Sequence, residues 1–492
     1  MSISQAIQSA LSGLNATQTQ AAIVSRNISN AQTEGYVRKD VELGSLVVGG
    51  SGAGVSVLSI SRTVDEFLIR DVRTAASRVG YQETLSAALS LYTDLVGQPQ
   101  DERSLASALG EFQRELALLG ENPEDVALQQ AVAAKARDLT GVFKHTDSAI
   151  RQLREDADAQ ISGTVININR DLGEIHRLNL EIQGRGRDGD IGDLLDQRDR
   201  LIDKLSQEIP INVLPSNNGV TILTNGGVTL LDSEVHPLSF AASPVIPPNA
   251  AYTPPPGPSA LSGLTVDGVD IAPGSNYPGA LDGGKLAAHF EIRDRLMPRF
   301  QRQVDELASQ LTAAFQNADA TVTGVAPSDT GFFTDAGAAH DPLAYAPGLA
   351  GRIAVNTLID PLAGGDPSRI RDGVHAAVPG PAGDPAQIQA FSAVFTQTFG
   401  FDPAAGIQTS ATLLNYASNA SSDAHTLGST AQNNAKSETI AFDSLSNSRL
   451  SKDGVNIDDE MQKMLSIERS YAASAQVISA ANRMLDQLLA SF

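Results

Sequence analysis

The first 25 residues contain no Asp, Glu, Lys or Arg, yet they carry a heptad pattern. Ile3, Ile7, Ala10, Leu14, Thr17, Ala21, Val24 and Ile28 alternate spacings of four and three, which predicts a helix with one apolar seam. A solvated helix normally shows charge on its outer face. Here that face is Ser, Gln, Thr and Asn, so the helix is expected to be contacted on several sides. The other end of the chain repeats the design. Met464, Ile467, Tyr471, Ser474, Ile478, Ala481, Leu485, Leu488 and Phe492 alternate in the same way, and from Tyr471 onward the charged residues are Arg483 and Asp486. Two such helices at opposite ends are expected to pair. Neither holds enough apolar surface to be stable alone, and the entropy of closing so long a loop grows only logarithmically.

The first helix runs into SRNISNAQTEGYVRK at 25–39. Gly35 suits a left-handed exit from the helix; a stop nearer Ser29 or Asn30, followed by a loop to Gly35, fits the same residues. Asn27 and Asn30 are expected as hydrogen-bonding groups within or between subunits. Further inward, Ile161, Val165, Ile168, Leu172, Ile175, Leu178 and Ile182 keep helical spacing on a stretch laced with charge, as a solvated bundle helix requires. GDLLDQRDRLIDKLSQEI continues the helical pattern to about Glu208. Phe300, Val304, Leu307, Leu311 and Phe315 predict another helix, with Pro298 in its first turn. A polar, Ala-rich helix is expected from about Ser410 to Ser446. Between these, Val220-Thr221-Ile222 and Val228-Thr229-Leu230 alternate around Asn218-Gly219 and Asn225-Gly226-Gly227, a hairpin signal. Pro- and Gly-rich sequence follows to about 280, and a second loop-rich block covers about 321–405. The expected class is α+β. It has paired terminal coiled-coil helices (1–45 with 450–492) and an elongated helical-bundle domain (60–208 with 285–320 and 405–449). A β-rich insertion (209–284) and a second loop- or β-rich insertion (321–404) complete it.

The formal net charge of -22 argues against nucleic acid, whose phosphates need clustered Lys and Arg, and against an anionic membrane surface. With no cysteine in the chain, thiolate metal sites, thiol catalysis and disulfides are excluded. No run reaches the roughly 18 apolar residues of a membrane span, and no basic n-region or apolar h-region follows Met1. The chain reads as cytosolic, or as exported by a route without a cleaved signal.

Chemical motifs are weak. GRGRDG at 184–189 lies after a charged helix rather than a strand, and GALDGGKL at 279–286 has Leu286 where a phosphate loop needs Ser or Thr. Histidines 145, 176, 236, 289, 340, 375 and 425 make no ligand spacing. Asp193, Asp196 and Asp199 lie among Arg198, Arg200 and Lys204, which is read as solvated ion pairing. Asp458, Asp459 and Glu460 are read as acids complementing a helix N-terminus. No catalytic residue, metal ligand or cofactor is expected.

ALSGLNATQTQAAIVSRNISNAQTEGYVRKDV at 10–41 resembles the N-terminal signature of the bacterial flagellar rod, hook and hook-associated superfamily. The matching residues are Ser12, Gly13, Leu14, Asn15, Asn27, Asn30, Gly35 and Tyr36. DLLDQRDRLIDKLSQEIPINVLPSNNGVTILTNGG at 193–227 and GGKLAAHFEIRDRLMPRFQRQVDELASQLTAAFQNA at 283–318 resemble the hook-associated protein 1 family. So does KDGVNIDDEMQKMLSIERSYAASAQVISAANRMLDQLLA at 452–490. The resemblance implies a non-enzymatic structural subunit of the flagellum, a ring of copies at the hook–filament junction required for filament assembly. Its partners would be itself, the hook protein, the second junction protein and a type III export chaperone. Neither nucleic acid nor membrane insertion is implied, and the protein would leave the cytoplasm without a cleaved signal. Ile3, Ile7, Leu14, Ala21, Val24, Ile28, Met464, Ile467, Tyr471, Ile478, Leu485 and Leu488 would form the assembly seam. Met461, Met464, Leu465, Tyr471, Ile478, Leu485 and Leu488 would meet the chaperone. The alternatives are another axial protein (hook protein or second junction protein), or a junction protein with an enzymatic or adhesive outer domain.

Overall fold

A computed structural model describes residues 3–48, 51–98, 101, 103–185, 191–216, 219–322, 329–341 and 345–490. In chain order, helix α1 (Ile3–Ser29) leads into strands β1 (Lys39–Val48) and β2 (Ser51–Arg62). Helices α2 (Glu66–Val96), α3 (Leu105–Glu121), α4 (Val126–Arg185) and α5 (Gly192–Glu208) follow. Strands β3 (Ile211–Ser216), β4 (Gly219–Thr224), β5 (Thr229–Leu231), β6 (Leu238–Ser239), β7 (Thr265–Val266) and β8 (Val269–Asp270) come next. Helix α6 (Gly284–Glu291) passes through a π-helical turn at Ile292–Leu296 into α7 (Met297–Ala318). Short elements follow: β9 (Phe333–Asp335), α8 (Leu349–Arg352), β10 (Ile353–Val355), α9 (Arg369–Asp372), α10 (Ala386–Ala393), β11 (Phe399–Gly400) and β12 (Ser410–Ala411). Two long helices, α11 (Leu413–Asp453) and α12 (Ile457–Leu489), close the chain.

The chain forms two compact units. The first comprises 1–79, 166–238 and 437–492; the second comprises 80–165 and 239–436. In the first unit, Ile168, Leu172, Ile175 and Leu178 of α4 are buried at the predicted helical spacing, as are Ile202 and Leu205 of α5. β3, β4 and β5 form an antiparallel sheet, and its second turn closes where the Gly227 N–H donates to the Thr224 carbonyl at 2.9 Å. Asn218 of the first turn lies outside the described residues, as do Phe492 and most of GRGRDG. β1 and β2 form a long antiparallel hairpin from Lys39↔Arg62 to Val48↔Ser51. The sequence reading had no strands there.

The second unit is built on α7. Phe300, Val304, Leu307, Leu311 and Phe315 are all buried, and Pro298 stands in the first turn. Phe112 of α3 meets Phe315 with ring centroids 5.5 Å apart. Phe332, Phe333, Phe391 and Phe395 crowd the same two rings. Residues 321–404 were expected as a separate insertion, but their described part contributes these phenylalanines to the core that α3 and α7 share. The Pro-rich 235–280 region, within the block expected as β-rich, is mostly loop and turn. Its strands β6, β7 and β8 are two residues long, since prolines withhold the N–H groups that a ladder needs. GALDGGKL forms a turn into α6, and the hairpin upstream of it is antiparallel. Helix α11 extends to Asp453, beyond the expected Ser446, where Arg449 finds carboxylates at Asp203 and Asp453.

Candidate functional site

α1 lies along α12. A Cβ built on Gly13 would be 3.3 Å from Ser474 Oγ, and Asn27 Nδ2 donates to Glu460 Oε2 at 2.9 Å. Moving back along α1 thus moves forward along α12, so the pair is antiparallel. Of the expected seam, Val24 is buried, whereas Ile3, Ile7, Leu14, Ala21, Ile28, Met464, Ile467 and Ile478 are half-buried. Tyr471, Leu485 and Leu488 are exposed. Among the described residues of α12, Glu460 and Ala481 are the buried ones. Val477, Met484 and Leu488, on the same side of α12 as Ser474 and Ala481, are about half exposed.

Of the signature residues, Ser12, Gly13, Leu14 and Asn15 lie in the middle of α1, and Asn27, Asn30, Gly35 and Tyr36 at its exit. α1 ends at Ser29, and Gly35 takes φ +71°. That left-handed conformation favours glycine, and an added Cβ would also lie 2.5 Å from Arg200 Cγ. Asn30 Nδ2 donates to the Arg26 carbonyl at 3.0 Å, and Thr33 Oγ1 donates to Asn30 Oδ1 at 3.2 Å. Ser12 Oγ donates to the Ser9 carbonyl and accepts from the Val55 N–H at 3.1 Å, tying α1 to β2. Asn15 is exposed.

Asn27 is 0 % exposed and saturated. Its amide nitrogen donates to Glu460 and to the Lys39 carbonyl, both at 2.9 Å. Its oxygen accepts from Tyr36 Oη at 2.9 Å and the Lys39 N–H at 3.1 Å. Glu460 is also 0 % exposed, and Lys463 Nζ donates to its other oxygen at 2.9 Å. Glu460 stands in the first turn of α12 with Asp458 and Asp459, as expected of acids at a helix N-terminus, and the fold also buries it against α1. The helix end itself is capped by Asn456, whose side chain accepts from the Asp458 N–H.

A ladder of alternating charges continues from there. Lys39, with a fully buried side chain, pairs with Asp193 and lies 3.5 Å from Asp196. Arg62 reaches Asp196 at 2.9 Å and Asp199 at 2.7 Å. Arg73 reaches Asp203 at 2.6 Å, and Arg449 meets the same carboxylate at 2.8 Å. Asp193 is solvated, with a side chain 67% exposed; the solvated pairing expected for Asp196 and Asp199 is corrected, since their side chains are 3% and 14% exposed. Arg200 turns to the Glu34 carbonyl and Lys204 to Asp171. The principal partners of the three aspartates come from the hairpin and α2, which the local pattern of α5 does not contain. Burial pushes the Asp196 carboxyl up despite Arg62 and Lys39. Burial also pushes Asp40 up, but the hydrogen bond and charge of Lys463, with Arg38 and Thr63, outweigh it and hold Asp40 below its usual value. Burial pulls Lys463 down, and Glu460 and Asp40 more than offset it.

Among the described residues no group of His, Asp and Glu is arranged to hold a metal ion, and no helix is long and apolar enough to cross a membrane. The arrangement can pin two helices together and present apolar surface.

A family model described as flagella basal body rod protein matches residues 7–36. One described as flagellar basal body rod FlgEFG protein C-terminal matches residues 446–491. Both ends of the chain are thus similar to basal body rod proteins of the flagellum. The model of the flagellar hook-associated protein FlgK helical domain matches residues 92–331. Flagellar hook-associated protein 1 of Bacillus subtilis is 24% identical over 98% of this chain and 97% of its own length. The Salmonella typhimurium protein of the same name is 32% identical over 50% of this chain. The Escherichia coli one is 30% identical over 45%. The chain spans about half the length of these two relatives, 46% and 42% respectively. A solved structure of the flagellar hook junction protein FlgK from Burkholderia pseudomallei is 23% identical, with a TM-score of 0.44 over 54% of this chain and 46% of that one.

Proposed function

We propose that this protein is a structural subunit of the bacterial flagellum that joins hook to filament as a ring of copies and is required for filament assembly. It acts without catalysis of its own. It meets the hook protein on one side and the second junction protein on the other, outside the cell, after export from the cytoplasm without a cleaved signal. The α1–α12 pair, within 1–45 and 450–492, is the assembling part, and the remaining residues are its outer support. The observation that carries this reading is the state of α12, charge-poor from Tyr471 onward, whose apolar residues Tyr471, Val477, Met484, Leu485 and Leu488 remain exposed. Exposed apolar stripes of this kind mark association surfaces. Matches to axial-protein models at both termini support it.

The test is substitution in the seam. Leu14→Asp or Leu485→Asp should leave residues 80–165 and 239–436 folded but block incorporation into the flagellum, because a packed seam cannot bury an unpaired charge cheaply. Normal motility with either variant would overturn the reading.

A further inference from the structure

We propose that the buried Asn27–Glu460 contact sets the register of the terminal helix pair, selecting one antiparallel alignment of α1 on α12 over alignments displaced by a heptad. The inference does not depend on the flagellar reading.

The need for such a device follows from the seam. A heptad pattern repeats itself every seven residues, so sliding one helix by seven places apolar residues opposite apolar residues again. The seam here discriminates weakly. Most of its residues on both helices are half-buried or exposed, and many are small, such as Ala10, Ala21, Ser474 and Ala481. A displaced pair would therefore lose little apolar burial. Charge patterning outside the seam does not separate the alignments either, since residues 3–25 carry no charge.

The clasp does separate them. Asn27 and Glu460 are both 0 % exposed, and each of Asn27's polar atoms has two partners. Tyr36 and Lys39, which supply three of those four bonds, are fixed to the same end of α1 by the Gly35 turn. Glu460 is held from the α12 side by Lys463, which also reaches Asp40 at 2.9 Å. Displacement one way brings Ile467 opposite Asn27 and leaves Glu460 without the amide and the amide without a carboxylate, both in a dry site. Displacement the other way carries Asn27 past the start of α12 to Asp453 of α11, whose carboxylate is already held by the Asp65 N–H and Arg449, and again strands Glu460. Desolvated polar groups without partners are what make a single polar position specify coiled-coil alignment. The second fixed point agrees. Gly13 faces Ser474, whose Oγ a Cβ built on Gly13 would meet at 3.3 Å, and each lies two heptads from its clasp residue, Gly13 from Asn27 and Ser474 from Glu460. One alignment therefore satisfies both contacts.

The chain contains no cysteine, so disulfide trapping reads the register directly. Three full-length variants carry Gly13→Cys with Ser474→Cys, with Ile467→Cys or with Ala481→Cys, the last two seven residues to either side. In the otherwise unchanged chain, the 13–474 pair should oxidise and the other two should not. With Asn27→Leu and Glu460→Leu added, exclusivity should be lost and the displaced pairs should form in comparable yield. Glu460→Gln, which keeps an acceptor for Asn27, should restore it. The proposal is overturned if 13–474 remains exclusive in the Leu/Leu background. It is overturned equally if no pair forms there, which would make the clasp a simple stabiliser, or if the unchanged chain traps a displaced pair.

Discussion

Arg293 and Asp158 form an ion pair of 2.7 Å with side chains 0 % and 2 % exposed. Arg293 emerges from the π-helical turn between α6 and α7, where it also bonds Asp294 and the Ser262 carbonyl. Arg154 adds bonds to the carbonyls of Arg293 and Ala250, and the other Asp158 oxygen accepts from the Ser243 N–H at 2.6 Å. This knot anchors the Pro-rich segment at several points where regular strands could not. Asp158→Ala leaves the buried Arg293 with Asp294 as its remaining carboxylate and the Ser243 N–H without its acceptor, which costs about 1–3 kcal/mol. The expected result in denaturant titration is a lowered midpoint, with proteolysis gained first within residues 241–263. An unchanged midpoint would show that the pair is dispensable.

The contact between Phe112 and Phe315 leads to a second expectation. Phe332, Phe333, Phe391 and Phe395 surround that pair, so residues 329–404 have no core of their own. Phe315→Ala should cost about 3–5 kcal/mol through the cavity it leaves. It should also lower a single transition followed by probes in α3 and in 386–396 alike. Two separated transitions would instead mean that the 321–404 region folds independently.

These two sites also show what the sequence could carry. Helical periodicity located α1, α5, α7 and α12 well, because each buries one face at a fixed spacing. The phenylalanines of 329–395 sit in short elements with no period, so nothing local says whose core they complete. The β1–β2 hairpin was legible in principle: Lys39–Val48 and Val55–Ile60 alternate around Gly49-Gly50. It was eclipsed by the helical pattern on either side. Within the site, Asn27 and Tyr36 could be singled out from their position at a helix exit. Glu460 could not, since an acid in a first turn already has a sufficient local explanation. Only the tertiary pairing of the two chain ends reveals its partner.

Asp305 makes stability depend on pH. It is buried on α7 and accepts from the Gly348 and Ala350 N–H groups at 2.8 and 2.9 Å, from Gln301 at 3.0 Å and from Tyr345 at 3.1 Å. Burial pushes its pKa from 3.8 to about 6, although these donors oppose the shift. The folded chain therefore holds this proton more tightly than the unfolded chain. The resulting stability is fully present below the unfolded value and is lost as pH rises through about 6. Each pKa unit is worth about 1.4 kcal/mol, so the contribution is roughly 3 kcal/mol at most. The unfolding free energy of wild type minus that of Asp305→Asn should rise as pH is lowered from about 7 to about 4. A difference independent of pH would contradict this assignment.

The last expectation concerns the state before assembly. Met461 and Leu465 are about half exposed and lie one turn apart on α12, rotated away from the side on which Glu460 meets α1. Tyr471, Leu485 and Leu488 are exposed as well, with Met464 and Ile478 half-buried. An amphipathic helix with such anchors suits a partner that receives it in a groove, and an export chaperone would shield the same residues from aggregation. Deleting residues 461–492 should abolish a one-to-one complex with the flagellar export chaperone in a pull-down. Met461→Asp with Leu465→Asp should weaken that complex while the 13–474 disulfide still forms, because those side chains lie outside the α1-facing side. Binding that survives the deletion would place the chaperone site elsewhere. Loss of the disulfide together with the complex would mean that Met461 and Leu465 serve the helix pair rather than the chaperone.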